Sequence, residues 1–186
     1  FLRSRGLGAE LVPPLSLVTD RQGIYYDPGQ PSDLEDFIAQ RVRLTEAQEH
    51  RAEDLLRSLV QSSLSKYNLG GETPDLPAGR RILVPGQVED DASILTGSSR
   101  VKTNLDLLRA TRAANPDAVI IYKPHPDVEA GLRSGEIAAE GLADVVAHNS
   151  DPIALFDEVG ELWTMTSLMG FEALLRGVKV TTVGTP

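Results

Sequence analysis

The sequence has no cysteine, which excludes a disulfide framework and thiolate metal sites and is compatible with a reducing compartment. No apolar run approaches the roughly 18 residues that a membrane-spanning helix needs, and no signal-peptide pattern opens the chain. Cations are the minority charge. Against 27 Asp and Glu stand 18 Lys and Arg, and the formal net charge of -9 argues against a bare nucleic-acid or anionic-membrane surface while leaving room for a local basic pocket. The common nucleotide motifs are missing too. Gly6-Leu7-Gly8 has Leu11 where a dinucleotide fingerprint needs its third glycine, and it follows no strand. There is no phosphate loop ending in Gly-Lys-Ser/Thr and no Gly-x-Ser-x-Gly elbow. His50, His125 and His148 have no zinc-ligand spacing, so no metal is expected.

What is present suits an ordinary folded domain: 186 residues, 41% hydrophobic and 24% charged. The chain opens Phe1-Leu2-Arg3-Ser4-Arg5 without Met and stops at Pro186 directly after an apparent core strand, which reads as a segment of a longer protein.

From residue 80 onward, short apolar runs alternate with helix-period segments. Ile82–Val84, Ala118–Tyr122, Asp144–Ala147, Leu162–Thr164 and Val178–Val183 are the expected strands. Helices are expected from about Lys102 to Ala114, from Asp151-Pro152 onward, and from Ser167 to Arg176, where Gly177 supplies an easy left-handed cap. Such alternation predicts an α/β fold: a Rossmann-like parallel sheet with helices on both faces, ligands gathering beyond the carboxyl ends of the strands. Residues 1–79 read differently. Leu15–Val18 and Gly23–Tyr26 suggest a hairpin around Asp20–Gly23. Helices follow from Ser32-Asp33 to about Arg43 and from Thr45 to Lys66, and a Gly- and Pro-rich linker runs from Asn68 to Gly79. The expected organisation is therefore a hairpin-and-helix packing segment, 1–79, before a ligand-binding lobe, 80–186.

Three segments sit where chemistry belongs in such a sheet. Val84-Pro85-Gly86-Gln87-Val88-Glu89-Asp90-Asp91 leaves the first core strand with three consecutive carboxylates. They repel one another, so they are either solvated in a capping loop or aimed into a cleft as nucleophile or base. Lys123-Pro124-His125-Pro126-Asp127 leaves the second strand with prolines on both sides of His125, restraining the imidazole and the Lys123 ammonium. Lys is a natural partner for phosphate or carboxylate; the plain alternative is a rigid polar turn. After the fourth strand, Thr166 and Ser167 open a helix whose N-terminus suits an anion, Gly170 permits close approach, and Glu172 is placed to accept from ribose hydroxyls. Ordinary capping and helix–sheet packing would account for the same residues.

Together, these segments and the N-terminal blocks Phe1–Gly8, Pro14–Val18 and Gly23–Asp27 resemble the capsule polysaccharide biosynthesis/export family of the KpsC (LipA) type, in order and across essentially the whole chain. The resemblance implies one lobe of a GT-B-like glycosyltransferase that transfers Kdo from CMP-Kdo, with retention, to a lysophospholipid-linked acceptor. It needs no cofactor beyond that nucleotide-sugar donor. It would work in the cytoplasm, peripheral to the inner membrane, with the glycolipid acceptor and the capsule export complex as partners and no nucleic acid. The family's Gln-x-x-x-Asp pattern falls on Gln87 and Asp91, making Asp91 the expected catalytic carboxylate with Glu89 and Asp90 beside it. His125 is expected to assist proton transfer or hold phosphate. Lys123, with Arg3 and Arg5 behind it, is expected to face the donor's charge, and Thr166, Ser167, Gly170 and Glu172 its phosphate and ribose. A non-catalytic scaffold and an enzyme using another nucleotide sugar are the alternatives.

Overall fold

The computed structural model describes residues 2–7, 12–40, 43–66 and 70–186, with the side chains of residues 2–7 and 12–17 outside that description. β1 (Leu2–Leu7) and β2 (Val12–Thr19) pair antiparallel, Arg3 opposite Val18 and Arg5 opposite Ser16. The expected hairpin is thus corrected. Leu15–Val18 is strand, but its partner precedes it, and Ile24–Tyr26 are not strand. The cause is Asp20, whose carboxylate accepts from the backbone N–H groups of Gln22 (2.9 Å), Gly23 (3.0 Å) and Asp33 (2.8 Å). Those bonds curl the chain into a turn and deliver it to a helix instead of a second ladder.

That helix, α1 (Asp33–Ala39), is capped by Ser32, whose hydroxyl accepts from Glu35 N. α2 (Glu46–Gln61) starts at a reciprocal Thr45/Gln48 capping box. Both stop short of the expected ends at Arg43 and Lys66, and neither buries a residue: Leu55 and Leu56 of the expected apolar stripe are exposed.

Beyond them lies a five-stranded, all-parallel sheet. Its strands are β3 (Arg81–Pro85), β4 (Val119–Lys123), β5 (Val145–Val146), β6 (Glu161–Thr164) and β7 (Lys179–Thr182), in the order β5-β4-β3-β6-β7. Strands covered on both faces read as unbroken apolar runs, which is why their positions were visible in the sequence. Alternation divides the core. Ile82, Val84, Ile120 and Tyr122 face α3 (Ala92–Gly97) and α4 (Asn104–Ala114), where Ile94, Leu107 and Leu108 complete one cluster. Leu83, Ile121 and Leu162 face α6 (Pro152–Glu158) and α7 (Leu168–Leu174), against Leu155, Phe156 and Ala173. α3 and the single turn α5 (Pro126–Glu129) lie outside the expected set of helices. Among the described residues no helix is long and apolar enough to cross a membrane.

Candidate functional site

The strand order reverses direction between β3 and β6, and parallel sheets open a crevice beyond the carboxyl ends of such a pair. Gly86 begins the wall on the β3 side. Its N–H donates to Lys123 O (2.7 Å), and an added Cβ would lie 2.6 Å from the Tyr122 hydroxyl, so only glycine fits against the neighbouring strand end.

Gln87 follows and is turned into the crevice floor, 6% exposed. Its Oε1 accepts from Thr164 Oγ1 (3.0 Å), Met165 N (3.2 Å) and Thr166 N (3.1 Å). Its Nε2 donates to Thr166 Oγ1 (3.1 Å). On its backbone, N donates to Asn104 Oδ1 and O accepts from Asn104 Nδ2, each at 2.8 Å. Gln87 therefore staples the loop after β3 to the loop after β6 and to the start of α4.

The three acids diverge. Glu89 accepts from Asn104 N (2.7 Å), tying down the start of α4. Asp90 points outward to Arg133 (3.0 Å) and Ser134 Oγ (3.2 Å); the Arg133 hydrogen bond keeps its carboxyl below the usual range. Asp91 stays at the crevice as the N-cap of α3, its Oδ1 accepting from Ser93 N (2.9 Å) and Ser93 Oγ (2.8 Å). Sequence reasoning had not singled out Ser93, although Asp-Ala-Ser ahead of Ile94 and Leu95 has the form of a helix start.

Lys123 ends β4 on the α6–α7 side of the sheet and is 3% exposed. Burial pulls its pKa down, opposed by the charges of Glu129 and Asp151, and among the described residues its ammonium has no hydrogen bond or ion pair. A buried cation in that position is held for an anion or is a standing cost to the fold.

His125 caps α5 through Nδ1, which accepts from Asp127 N (3.1 Å). That bond requires a lone pair on Nδ1, so the proton sits on Nε2. Burial depresses the imidazole to about 4, with Lys66 and Lys123 adding to the effect and Asp127 and Asp91 opposing it. At neutral pH His125 is an uncharged donor.

The loop after β6 supplies the facing wall. Thr166 Oγ1 lies between Gln87 Nε2 and Ser93 Oγ (3.3 Å). Ser167 caps α7, accepting from Met169 N (3.2 Å). Gly170 faces the sheet: an added Cβ would lie 3.3 Å from Thr164 Cγ2 and 3.4 Å from Val180 Cγ1, so its close approach is to β6 and β7. Glu172 accepts from Lys66 N (2.7 Å), and Arg176 Nη2 donates to Leu64 O (2.8 Å), so residues 64–66 are fastened along α7. Ser65 and Lys66 line one cleft with Gly86, His125, Pro152, Ser167 and Glu172. Lys66 is a cation the sequence reading missed, and its contact with Glu172 spans 106 residues, too far for any local pattern to reveal.

The fold thus brings His125, Ser167 and Glu172 to one cleft, with Lys123 buried at the strand end beside it. Asp91 connects to the cleft wall through Ser93 and Thr166. Glu89 and Asp90 are drawn off to α4 and to Arg133. Arg3 and Arg5 lie in β1, and their side chains fall outside the described residues. Among the described residues no group of three His, Asp or Glu could hold a metal ion.

A family model described as capsule polysaccharide biosynthesis protein matches residues 1–70 and 55–186. The chain is 49% identical over 191 residues to the capsule polysaccharide modification protein LipA of Neisseria meningitidis serogroup B, covering 100% of this chain and 27% of LipA. It is 45% identical over 195 residues to the lipopolysaccharide-processing protein LpsZ of Rhizobium meliloti, covering 100% of this chain and 44% of LpsZ. Two solved structures of Thermosulfurimonas dismutans KpsC match the whole chain. The beta Kdo 2,4 transferase has a TM-score of 0.86 at 33% identity, with 60% of its chain covered. The beta Kdo 2,7 transferase has a TM-score of 0.79 at 36% identity, with 57% covered. The chain spans about a quarter of LipA, under half of LpsZ and less than two thirds of either transferase chain.

Proposed function

Because this chain belongs to the capsule polysaccharide biosynthesis protein family, we propose that it is the donor-binding part of a retaining glycosyltransferase that moves Kdo from CMP-Kdo to a lipid-linked acceptor. The observation that carries this reading is the cleft itself, where an uncharged His125 donor, the Ser167 cap and Lys66 line the mouth of a parallel sheet, with Lys123 buried at the strand end beside it. The 33–36% identity to β-Kdo transferases over the whole chain supports the same choice of sugar.

CMP leaves with its negative charge on phosphate, so fixed donors can stabilise its departure. In this reading His125 Nε2–H and the start of α7 supply those donors. Kdo carries a carboxylate next to its reacting carbon, and this would repel an approaching Asp91. A nearby cation removes the conflict, which is the role assigned to Lys123, with Lys66 across the cleft. Asp91 attacks the anomeric carbon as the bond to the CMP phosphate breaks with its electron pair. The acceptor hydroxyl then displaces Asp91, restoring the carboxylate and giving net retention. Glu172 takes the ribose hydroxyls. In this reading residues 80–186 form the donor lobe, no cofactor takes part, and the acceptor is a lysophospholipid-linked glycan at the cytoplasmic face of the inner membrane, within the capsule export assembly.

Calorimetry of the full-length protein with CMP, CMP-Kdo, UDP and GDP tests the donor. Selective binding of the cytidine nucleotides is expected, and preference for UDP or GDP would replace Kdo with another sugar. Unchanged capsule assembly in an Asp91→Asn strain would turn the reading to a non-catalytic scaffold.

A further inference from the structure

We propose that Ser93 is a positioning residue for Asp91, the last link of a hydrogen-bond chain whose direction is set by two backbone amides. The inference rests on the reading of Asp91 as the nucleophile.

Met165 N–H and Thr166 N–H can only donate, and both point at the same oxygen of the Gln87 amide, at 3.2 and 3.1 Å. That fixes the amide orientation, so the Gln87 nitrogen must donate to Thr166 Oγ1. Ser93 Oγ has one proton, and its 2.8 Å neighbour Asp91 Oδ1 is a carboxylate oxygen that only accepts when ionised. Ser93 therefore donates to Asp91, and Thr166 donates its own proton to Ser93 across 3.3 Å. Every link runs the same way, from Gln87 through Thr166 and Ser93 to Asp91. Each donor polarises the next, which strengthens the terminal bond.

Capping alone does not call for this hydroxyl. At Asp151 the same i to i+2 cap is made by Ile153 N to Asp151 Oδ1 at 3.0 Å, with an aliphatic side chain at the second position. At Asp91 the backbone bond from Ser93 N, 2.9 Å, already serves the helix. The second bond goes to the same oxygen and comes from a side chain tied to the opposite wall of the crevice. Two donors on Oδ1 fix the rotation of the carboxylate plane, and with it the line along which Asp91 meets the anomeric carbon. Misplacement of a nucleophile by a fraction of an ångström slows chemistry without loosening the donor.

The test uses the full-length protein, with CMP-Kdo as donor, a Kdo-bearing lysophospholipid as acceptor, and CMP release as the signal. Ser93→Ala is expected to lower kcat roughly 10- to 100-fold, with the KM for CMP-Kdo within about twofold of wild type. Ser93→Thr, which restores a hydroxyl, should regain most of the rate. Thr166→Val, one link further back, should give a smaller loss of the same kind. Wild-type kcat in Ser93→Ala alongside an inactive Asp91→Asn would overturn the proposal and leave the nucleophile assignment standing. Full turnover by Asp91→Asn would instead remove the nucleophile and the proposal together. Loss of activity in Ser93→Ala that tracks a lowered melting temperature and is not rescued by Thr would assign Ser93 to folding alone, and would also overturn it.

Discussion

A histidine whose Nδ1 accepts a backbone N–H loses that bond when it takes up a proton. His125 is in this position, and burial reinforces it, so the ring is expected to titrate near 4 and to show the Nε2–H tautomer through the neutral range by carbon and nitrogen NMR. Between the ordinary value of 6.5 and about 4, the unfolded chain binds more protons than the folded one. Stability is therefore flat above that window, falls as pH drops through it, and levels off below. The whole effect is on the order of 3 kcal/mol at most. Urea unfolding at several pH values should show this slope in the wild type and lose it in His125→Asn, which keeps a capping side chain. Lys123 separates function from folding in the opposite way. Lys123→Met removes a buried cation that, among the described residues, has no hydrogen bond or ion pair and only the more distant charges of Glu129 and Asp151 to offset its burial, so unfolding should show stability unchanged or raised while CMP-Kdo affinity falls about tenfold or more, near 1.4 kcal/mol per decade.

At the scale of elements, the crevice depends on how two strand exits are joined. Gln87→Leu would leave Met165 N, Thr166 N and Thr164 Oγ1 without their buried acceptor, and a loss of about 3 kcal/mol is expected in chemical denaturation. Gly86→Ala sets a methyl 2.6 Å from the Tyr122 hydroxyl and should cost about 1–3 kcal/mol. Adding Tyr122→Phe should return part of that loss, which a double-mutant cycle measures. The inner strands of the sheet were legible because burial on both faces leaves continuous apolar runs such as Ile82–Val84 and Val119–Tyr122. The placing of His125 and Ser167 was legible because residues just past parallel strands must meet at one edge. The inward turn of Gln87 was not, since its partners lie 77 to 79 residues away and leave no periodic trace. Nor was the pairing of β2 with β1, because the Asp20 turn imitates a hairpin signal while its carboxylate directs the chain into α1.

Across the whole molecule, residues 64–66 are fastened to α7 and the turn after it by hydrogen bonds that include Lys66 N to Glu172 and Arg176 to Leu64 O. If ribose hydroxyls displace Lys66 N from Glu172, that hydrogen bond is lost. Hydrogen exchange at Lys66 should then speed up when CMP is added to the full-length protein, and unchanged or slower exchange would show that Glu172 keeps its present partner. Glu172→Ala should speed exchange there without ligand. If Glu172 also serves the ribose, one carboxylate has two claimants, and the chain competes with the proposed sugar nucleotide for it. By reciprocity, any change that tightens the hold of residues 64–66 on this edge would then raise the nucleotide concentration needed for half-occupancy by the same factor, and saturating nucleotide would loosen that hold equally.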